Sequence, residues 1–578
     1  TTIAAFSPLL MLPAAMGAFI GSIPRIVIIS LFASYVIAML FIPVFAYTFF
    51  KKKEKKKEKH RFKGLFIELL RRAIRHRAIT IGLAFLLLIS VFMLSSLLEQ
   101  TSYPTEDRDI LYMNIETEFP TDINKSQAIV NDIEKYLSEQ EEIITYFSTV
   151  GGDFPRFHVS VAYRARAKNI AQAIIKIDLR KTDRFQSNSE FVDYIQRGLN
   201  KYIIGATVEV KEFEMTGDGS PVQIRLLGED KSQLNAIGQE LTNILYNIEG
   251  TKNVSNDIEG EIYTYKLDID KDKAMGYGMT SYDIQREINI ALMGKKVGTL
   301  RQDEKQYDIE IKSDIDNIEE LKNIPIRSSI TNQISPLKVY GDISLSSEVG
   351  KLTRYDNMSS VTISASPLSG YNAISIQSEL ENIFKDKGIT DIELVSEGEK
   401  GKLERSTGDM SMAGLFAIFL VYSILMIQFK SVYQPIIIIL TIPLSFIGSI
   451  LALLAFRQTL SIFAILGFLS LFGVVVNNAI ILIDYINLEV KKGEDIIEAC
   501  LRSVEVRFRP VMLSTITTVF GLIPLSISGG VLFRPMAIAF MGGLLISTFL
   551  TLIIVPVIYI SVSTRLIKIK SRLRRIRV

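Results

Sequence analysis

Apolar residues concentrate in long blocks near the two ends of the chain, and the polar region 99–410 separates the blocks. A run of about 20 apolar residues is long enough to cross a bilayer as an α-helix. The pattern therefore predicts three membrane helices before the polar region and five after it. Their predicted bounds are 2–20, 24–49, 78–98, 411–428, 433–456, 460–485, 509–528 and 537–563.

The polar region alternates short strand patterns with amphipathic helix patterns. Strand patterns are found at 110–119, 144–152 and 156–165, with a helix pattern near 125–139. Similar strand–helix–strand units occupy 221–257 and 360–399. This alternation predicts an α+β sandwich of split βαβ type. We expect a first subdomain at 101–212, a second one divided into 213–261 and 349–402, and an inserted subdomain at 262–348.

A polar stretch at 51–77 follows the second predicted span and begins with the lysine-rich run 51–60. Beyond that run, apolar residues recur with the i, i+3, i+4 spacing of one helix face: Phe62, Leu65, Phe66, Leu69, Leu70, Ala73 and Ile74. The spacing predicts an amphipathic helix that lies on the membrane surface. Packing of the same face against soluble protein is the alternative.

Charge predicts how the chain is oriented. Lys and Arg number 65 and Asp and Glu 62, so the net charge of only +3 does not suggest a nucleic-acid partner. Basic residues are concentrated at 51–60, 429–434, 486–508 and in the tail 564–578. Because basic loops stay in the cytoplasm, the region 99–410 is predicted to lie on the opposite side of the membrane.

Few residue types point to catalysis or to a metal. The single cysteine, Cys500, excludes an intrachain disulfide, and His60, His76 and His158 are widely separated. We find no phosphate-binding, hydrolase or zinc-protease motif, so we expect no enzyme activity and no cofactor. The opening segment "TTIAAFSPLL" is not typical of a signal peptide. It is typical of the middle of a hydrophobic segment, so we expect the chain to be part of a longer one.

Polar side chains inside the predicted membrane helices are the strongest candidates for function. Asn477 and Asn478 interrupt an apolar run, and Asp484 lies seven residues after Asn477, on nearly the same helix face. Such groups are costly in hydrocarbon and often mark an ion path. An interhelical hydrogen bond for the asparagines, or an interfacial position for Asp484, is the alternative.

The next predicted helix carries a second polar stripe. Arg507 is expected at its N-terminal, cytoplasmic end, and Ser514, Thr517 and Thr518 follow. A guanidinium above a line of hydroxyl groups fits a charge-relay role. Hydrogen bonds from the hydroxyl groups to their own helix backbone are an equally strong alternative.

The segment "GVVVNNAIILIDYI" (473–486) resembles the tenth transmembrane helix of resistance–nodulation–division (RND) exporters, the AcrB-like inner-membrane pumps. The segments that start at Val506 and Met541 resemble the eleventh and twelfth helices, and residues 1–50 the fifth and sixth. Residues 267–298 resemble the second periplasmic loop. The resemblance covers essentially the whole chain. It implies a fragment that lacks the first four transmembrane helices and the first periplasmic loop.

This resemblance implies a homotrimeric pump in the bacterial inner membrane, driven by protons and without a cofactor. The subdomains at 101–212 and at 213–261 plus 349–402 would be periplasmic porter units, and 262–348 a docking unit. The expected partners are a periplasmic adaptor protein and an outer-membrane channel. The expected substrates are small amphiphilic or hydrophobic compounds.

The resemblance also implies roles for individual residues. Arg507 matches the arginine of the eleventh helix, and Ser514 and Thr518 belong to its hydroxyl stripe. Asn478 matches an asparagine of the tenth helix, whereas Asn477 stands where AcrB-like members carry lysine. The family's acidic pair would precede this chain, and we expect both asparagines to hydrogen-bond those carboxylates.

Other functions remain open at this point. One is a superfamily relative that moves lipid or aids protein secretion, another is a metal-ion exporter, and a third is a membrane receptor with an extracytoplasmic sensor. A receptor would need a cytoplasmic output domain, for which the chain offers only basic loops and a tail. The polar region contains Met113, Met215, Met275, Met279 and Met293. These methionines form no evident cluster in the sequence, which favours organic substrates over metal ions.

Overall fold

A computed structural model provides the structure of the protein. It describes residues 1–13, 17, 20–49, 61–102, 108–118, 121–152, 154–155, 158, 161, 164, 166–213, 219–258, 261–303, 305–315, 317–349 and 353–576. The lysine-rich run 51–60 lies outside this part of the chain.

The α-helices are α1 (Thr2–Phe6), α2 (Ser22–Phe49), α3 (Arg61–Arg75), α4 (Arg77–Leu94), α5 (Ile123–Ser138), α6 (Asn188–Tyr202), α7 (Lys231–Asn247), α8 (Lys271–Gly276), α9 (Ser281–Met293), α10 (Ile318–Lys322), α11 (Ala373–Asp386), α12 (Gly398–Phe429), α13 (Tyr433–Ile439), α14 (Thr441–Ala455), α15 (Ile462–Lys491), α16 (Ile496–Ser528) and α17 (Gly530–Ile576). The strands are β1 (Ile110–Thr117), β2 (Ile143–Val150), β3 (Ile170–Ile177), β4 (Ala206–Lys211), β5 (Val222–Gly228), β6 (Thr251–Asn256), β7 (Glu261–Ile269), β8 (Lys295–Gln302), β9 (Lys305–Ile311), β10 (Pro325–Arg327), β11 (Ile334–Pro336), β12 (Gly341–Val349), β13 (Arg354–Tyr355), β14 (Met358–Pro367) and β15 (Glu393–Ser396).

Seven helices of the described chain are long and apolar enough to cross a membrane. Each predicted span except the first overlaps one of these apolar helices. In place of one helix over 2–20, the chain forms α1 and then a 3₁₀ helix, Ser7–Met11. Leu12 is extended, with ψ 143°, because it precedes Pro13, and a residue before proline disfavours the helical region.

The amphipathic segment forms helix α3, and its apolar residues divide between two surfaces. Phe66, Leu70 and Ile74 are buried against the membrane-helix core, where the Phe66 ring lies 4.9 Å from that of Phe508. Leu65 and Leu69 instead remain exposed. The face that was expected to rest on a membrane therefore packs partly against the membrane-helix core.

The connection between α15 and α16 is much shorter than the predicted loop 486–508. Helix α15 continues to Lys491, and α16 begins at Ile496, where the side chain of Asp495 accepts a hydrogen bond from the Ile497 amide. Asp and Asn side chains start helices in this way. Arg507 is consequently an interior residue of α16, and the prediction that it opens a helix is wrong.

The first sheet of the polar region has the order β2-β3-β1-β4, and its recorded strand pairs are antiparallel. Alternate residues of β1, Leu111, Met113 and Ile115, point into a core that α5 and α6 cover. Covering one face of a sheet with two helices is the usual way to bury such an alternating pattern.

One strand of this sheet differs from the sequence prediction. The strand expected at 156–165 is absent at the described positions 158, 161 and 164, and the chain pairs through β3 instead. Residues Ala171, Ala173 and Ile175 of β3 face the core between β1 and β2. The central position between β2 and β1 thus belongs to β3, a strand that the sequence prediction did not include.

The second sheet combines strands from before and after the inserted segment. Strand β14 pairs with β6 and the short β13, and the order continues through β5 to β15. Without β13, the strand order of the second sheet is β6-β14-β5-β15. If the strands of each sheet are numbered along the chain, both sheets have the order second, third, first, fourth. Both halves of the predicted divided subdomain, 213–261 and 349–402, thus contribute strands to one sheet.

A separate compact unit spans Asp257–Ser360 and includes the whole of 262–348. Its small core contains Met279, Ile284 and Tyr340. Strands β7 and β12 pair antiparallel along their full length, and β8 and β9 form an exposed hairpin. Helix α9 starts with a capping box in which Thr280 and Asp283 each bond the other's backbone amide.

Candidate functional site

Helix α15 places two of the predicted polar groups on its exposed side. Asn477 and Asp484 are both exposed, as a seven-residue spacing on one helix allows, whereas Asn478 is only 7% exposed. Gly473, one turn before Asn477, packs against Thr2 of α1. Within the described chain, neither asparagine side chain forms a hydrogen bond with another side chain.

Arg507 of α16 contacts the same helix. Its guanidinium carbon lies 4.9 Å from the centre of the Tyr485 ring, which is next to Asp484 in the sequence. The Nε atom of Arg507 is buried and has no hydrogen-bond partner among the described residues. A buried donor of a charged group strongly favours an acceptor, so this site is suited to bind an anion or a carboxylate.

Two hydroxyl groups of the polar stripe on α16 bond the backbone of their own helix. Thr517 and Thr518 both donate to the backbone oxygen of Ser514, each at 2.9 Å. Ser514 itself is exposed. Sequence reasoning missed Thr515, whose buried hydroxyl lies 2.9 Å from that of Thr548 on α17 and connects the two helices. The sequence did offer a signal for Thr515, because it lies between the candidate hydroxyl residues Ser514 and Thr517.

A cleft lies between the first and second α+β subdomains and has a volume of about 750 Å³. Its first wall comes from β1, β4 and Arg164, and its second from β5, β14 and the start of α12. Helix α12 then continues as one 32-residue helix to Phe429. A helix of that length extends about 48 Å, so it links the cleft to the membrane-helix bundle.

The described lining of this cleft contains no apolar side chain. Seven of its residues are charged: Glu116, Arg164, Glu209, Lys211, Arg225, Glu397 and Lys402. Most of them form ion pairs within one wall. Lys211 lies 2.8 Å from Glu209, Arg225 lies 3.4 Å from Glu397, and Arg164 contacts Glu116. Sequence reasoning missed this site because its walls come from separate segments.

Polar contacts also join the two α+β subdomains. Asp193 of α6 pairs with Lys252 of β6 and accepts a hydrogen bond from the Ser369 amide at 2.7 Å. The side chains of Asn253 and Gln196 are hydrogen-bonded at 3.2 Å. We call these contacts the polar seam. A smaller cavity of about 190 Å³ lies beside it.

The chain is similar to known proteins along nearly its full length. The model of the AcrB/AcrD/AcrF family matches residues 1–563. The chain is 24% identical to the swarming motility protein SwrC of Bacillus subtilis, over 96% of this chain and 53% of that protein. It is 23% identical to protein HelA of Legionella pneumophila, over 96% of this chain and 54% of that protein.

Two further comparisons involve proteins whose names refer to metals. The cobalt-zinc-cadmium resistance protein CzcA of Cupriavidus metallidurans is 23% identical over 62% of this chain and 35% of that protein. A crystal structure of a heavy metal efflux pump matches with a TM-score of 0.75 and 20% identity, covering 97% of this chain and 56% of that one. The chain thus spans about half the length of the relatives it matches.

Proposed function

Because the chain belongs to the AcrB/AcrD/AcrF family of RND efflux transporters, we propose that it expels small compounds by proton-driven antiport. The family match over residues 1–563, together with the apolar helices, is the observation that carries this proposal. The protein would act as a homotrimer in the inner membrane, with 99–410 in the periplasm. A periplasmic adaptor protein and an outer-membrane channel would complete the pump, and neither enzyme activity nor a cofactor is involved.

Proton coupling is proposed to involve polar side chains of α15 and α16, namely Asn477 and Asn478 of α15 and Arg507 of α16. Asn477 and Asn478 offer amides, and Arg507 offers a buried donor that lacks a partner in the described chain. An amide or guanidinium next to a carboxylate changes the carboxylate's pKa through hydrogen bonds and charge. Such groups can therefore make proton binding depend on conformation.

Substrate is proposed to pass through the cleft between the two α+β subdomains. Lys402 and Gly398 at the start of α12 line this cleft, while the same helix reaches the membrane bundle. A continuous helix transmits a displacement over its length because its backbone is fully hydrogen-bonded. Movement at the proton site can in this way change the shape of the cleft.

Export of metal ions is the second candidate, favoured by the names of the metal-related relative and of the matched crystal structure. Groups of three or more His, Cys, Asp or Glu side chains able to hold a metal are not present in the described part of the chain. Growth of a deletion strain in graded zinc, cobalt and cadmium, beside organic compounds, separates the two candidates. If the deletion strain were sensitive to the metals but not to the organic compounds, the result would support metal export and contradict organic efflux.

Efflux measurements on matched variants test proton coupling. We expect Asn477→Leu, Asn478→Leu and Arg507→Ala to reduce efflux of a fluorescent substrate at unchanged membrane expression. Arg509→Ala is the control, because Arg509 is an exposed arginine of the same helix. Loss of a membrane hydrogen bond costs only about 0.6 kcal/mol, so the variants should fold. Normal efflux in all three would contradict the proposed relay.

A further inference from the structure

The chemical character of the cleft restricts what can bind there. Among the described lining residues, every side chain is polar or charged or is absent, as in Gly219 and Gly398. Transfer of apolar surface out of water is favourable only when apolar surface receives it. A hydrophobic compound would gain little in this cleft and would remove water from its ionic groups.

The charged groups are held in place by one another. Lys211 and Glu209 are each 21% exposed, and Arg225 and Glu397 are 19% and 16% exposed. Removing the remaining water from such groups without replacing its hydrogen bonds is costly. A ligand avoids this cost when its own charged groups donate to the carboxylates and accept from the cations.

Both walls present charges of both signs. On the first wall Glu209 stands beside Lys211, and on the second Glu397 stands beside Arg225. A ligand with one charge would complement one member of each pair and repel the other. A ligand with a cationic and an anionic group can complement both members of a pair.

We propose that the cleft selects small polar compounds that carry both a cationic and an anionic group. This inference rests on the proposed transport function and names its substrate class. It replaces the sequence-based expectation of amphiphilic or hydrophobic substrates. The specificity-determining residues are Glu209, Lys211, Arg225 and Glu397.

Equilibrium binding to the assembled, purified transporter tests the inference with two probes that share one side chain. Phenylalanine is zwitterionic, and N-acetyl-phenylalaninamide is neutral. We expect the native protein to prefer phenylalanine. The double variant Glu209→Gln, Arg225→Gln should lower that preference by roughly tenfold or more, as expected for lost hydrogen bonds to charged groups.

The matched control is Glu240→Gln, Lys387→Gln, which removes a 2.6 Å ion pair of the second subdomain that does not line the cleft. The control should keep the preference. A ratio of affinities distinguishes specificity from damage, because a folding defect weakens both probes together. The inference would be overturned if the native protein bound both probes equally, preferred the neutral one or bound neither. It would also be overturned if the Glu209→Gln, Arg225→Gln variant kept the native ratio of the two affinities.

Transport measured in the same preparations separates this inference from the proposed function. If the Glu209→Gln, Arg225→Gln variant exported neutral compounds at unchanged rates in a proton-driven manner, the proposed function would stand and the inference would be overturned. Loss of proton dependence with intact, charge-dependent binding of phenylalanine would overturn the proposed function and keep the substrate class.

Discussion

At the scale of single residues, the capping box of α9 shows how one carboxylate stabilises a helix start. The Thr280 hydroxyl lies 2.7 Å from Asp283 and the Asp283 amide 3.1 Å from the Thr280 hydroxyl. The hydrogen bond from Thr280 holds the pKa of Asp283 below its ordinary value, although burial opposes the shift. The stabilisation is therefore present above the ordinary pKa of about 4 and is lost as pH falls through the lower folded pKa.

We predict that Thr280→Ala weakens this helix start by about 1 kcal/mol. Hydrogen–deuterium exchange of the amides at 281–284 at pH 7 should accelerate about fivefold, with α11 as the internal reference. The difference from the native protein should shrink as the pH falls through the lowered folded pKa of Asp283, where its carboxylate becomes protonated. Unchanged exchange at the start of α9 would contradict the assigned role of the capping box.

At the scale of elements, close approach of α14 and α17 holds the membrane bundle together. A Cβ atom added at Gly448 would overlap the backbone oxygen of Gly542. The neighbouring Ser449 hydroxyl donates to the Ala539 backbone oxygen at 2.7 Å. Small residues allow helix backbones to approach in this way, and side-chain hydrogen bonds reinforce the contact.

We predict that Gly448→Ala lowers the free energy of unfolding by about 1–3 kcal/mol, the usual cost of overpacking. The control is Gly521→Ala, where nothing lies within 4 Å of the added Cβ atom. Because alanine favours a helix over glycine, the control should leave the melting temperature unchanged or raise it. Thermal unfolding in detergent measures both, and equal shifts would show that the α14–α17 contact does not limit stability.

Apolar length was sufficient to place apolar helices at seven of the eight predicted spans, because hydrophobicity is a local property of the sequence. Helix ends were harder to predict. Helix α16 starts at the Asp495 cap rather than where the apolar run begins, so Arg507 lies inside it. The partner of a strand depends on distant segments, which explains why β3 was missed. The cleft depends on two subdomains at once and has no signature in any one segment.

At the scale of the whole molecule, the polar seam connects the two α+β subdomains beside the smaller cavity. Asp193 and Lys252 have side chains that are 8% and 15% exposed. Removing one member of a buried ion pair typically costs about 3–5 kcal/mol, because the other charge remains without compensation. The Asp193–Lys252 ion pair is therefore expected to contribute substantially to the stability of this junction, beside the other hydrogen bonds of the seam.

We predict that Lys252→Met loosens the junction without unfolding either sheet. Hydrogen–deuterium exchange should rise in α6 and at 366–371, while exchange in β1 and β5 stays slow. Lys387→Met is the matched control, because its ion pair with Glu240 lies within the second subdomain. Similar exchange in both variants would mean that apolar contacts, not the seam, hold the subdomains together.

The basic residues that flank the apolar helices predict how the protein is oriented in the membrane. Basic residues are retained in the cytoplasm, and α3 carries several exposed arginines between two membrane helices. We expect Arg71→Cys to be protected from an impermeant thiol reagent in intact cells and Ile204→Cys, at an 89% exposed position, to be labelled. Both substitutions are made in a Cys500→Ala background, which removes the native thiol. Permeabilised cells provide the control, since both cysteines should then react. Labelling at position 71 in intact cells would reverse the orientation and place the α+β subdomains in the cytoplasm.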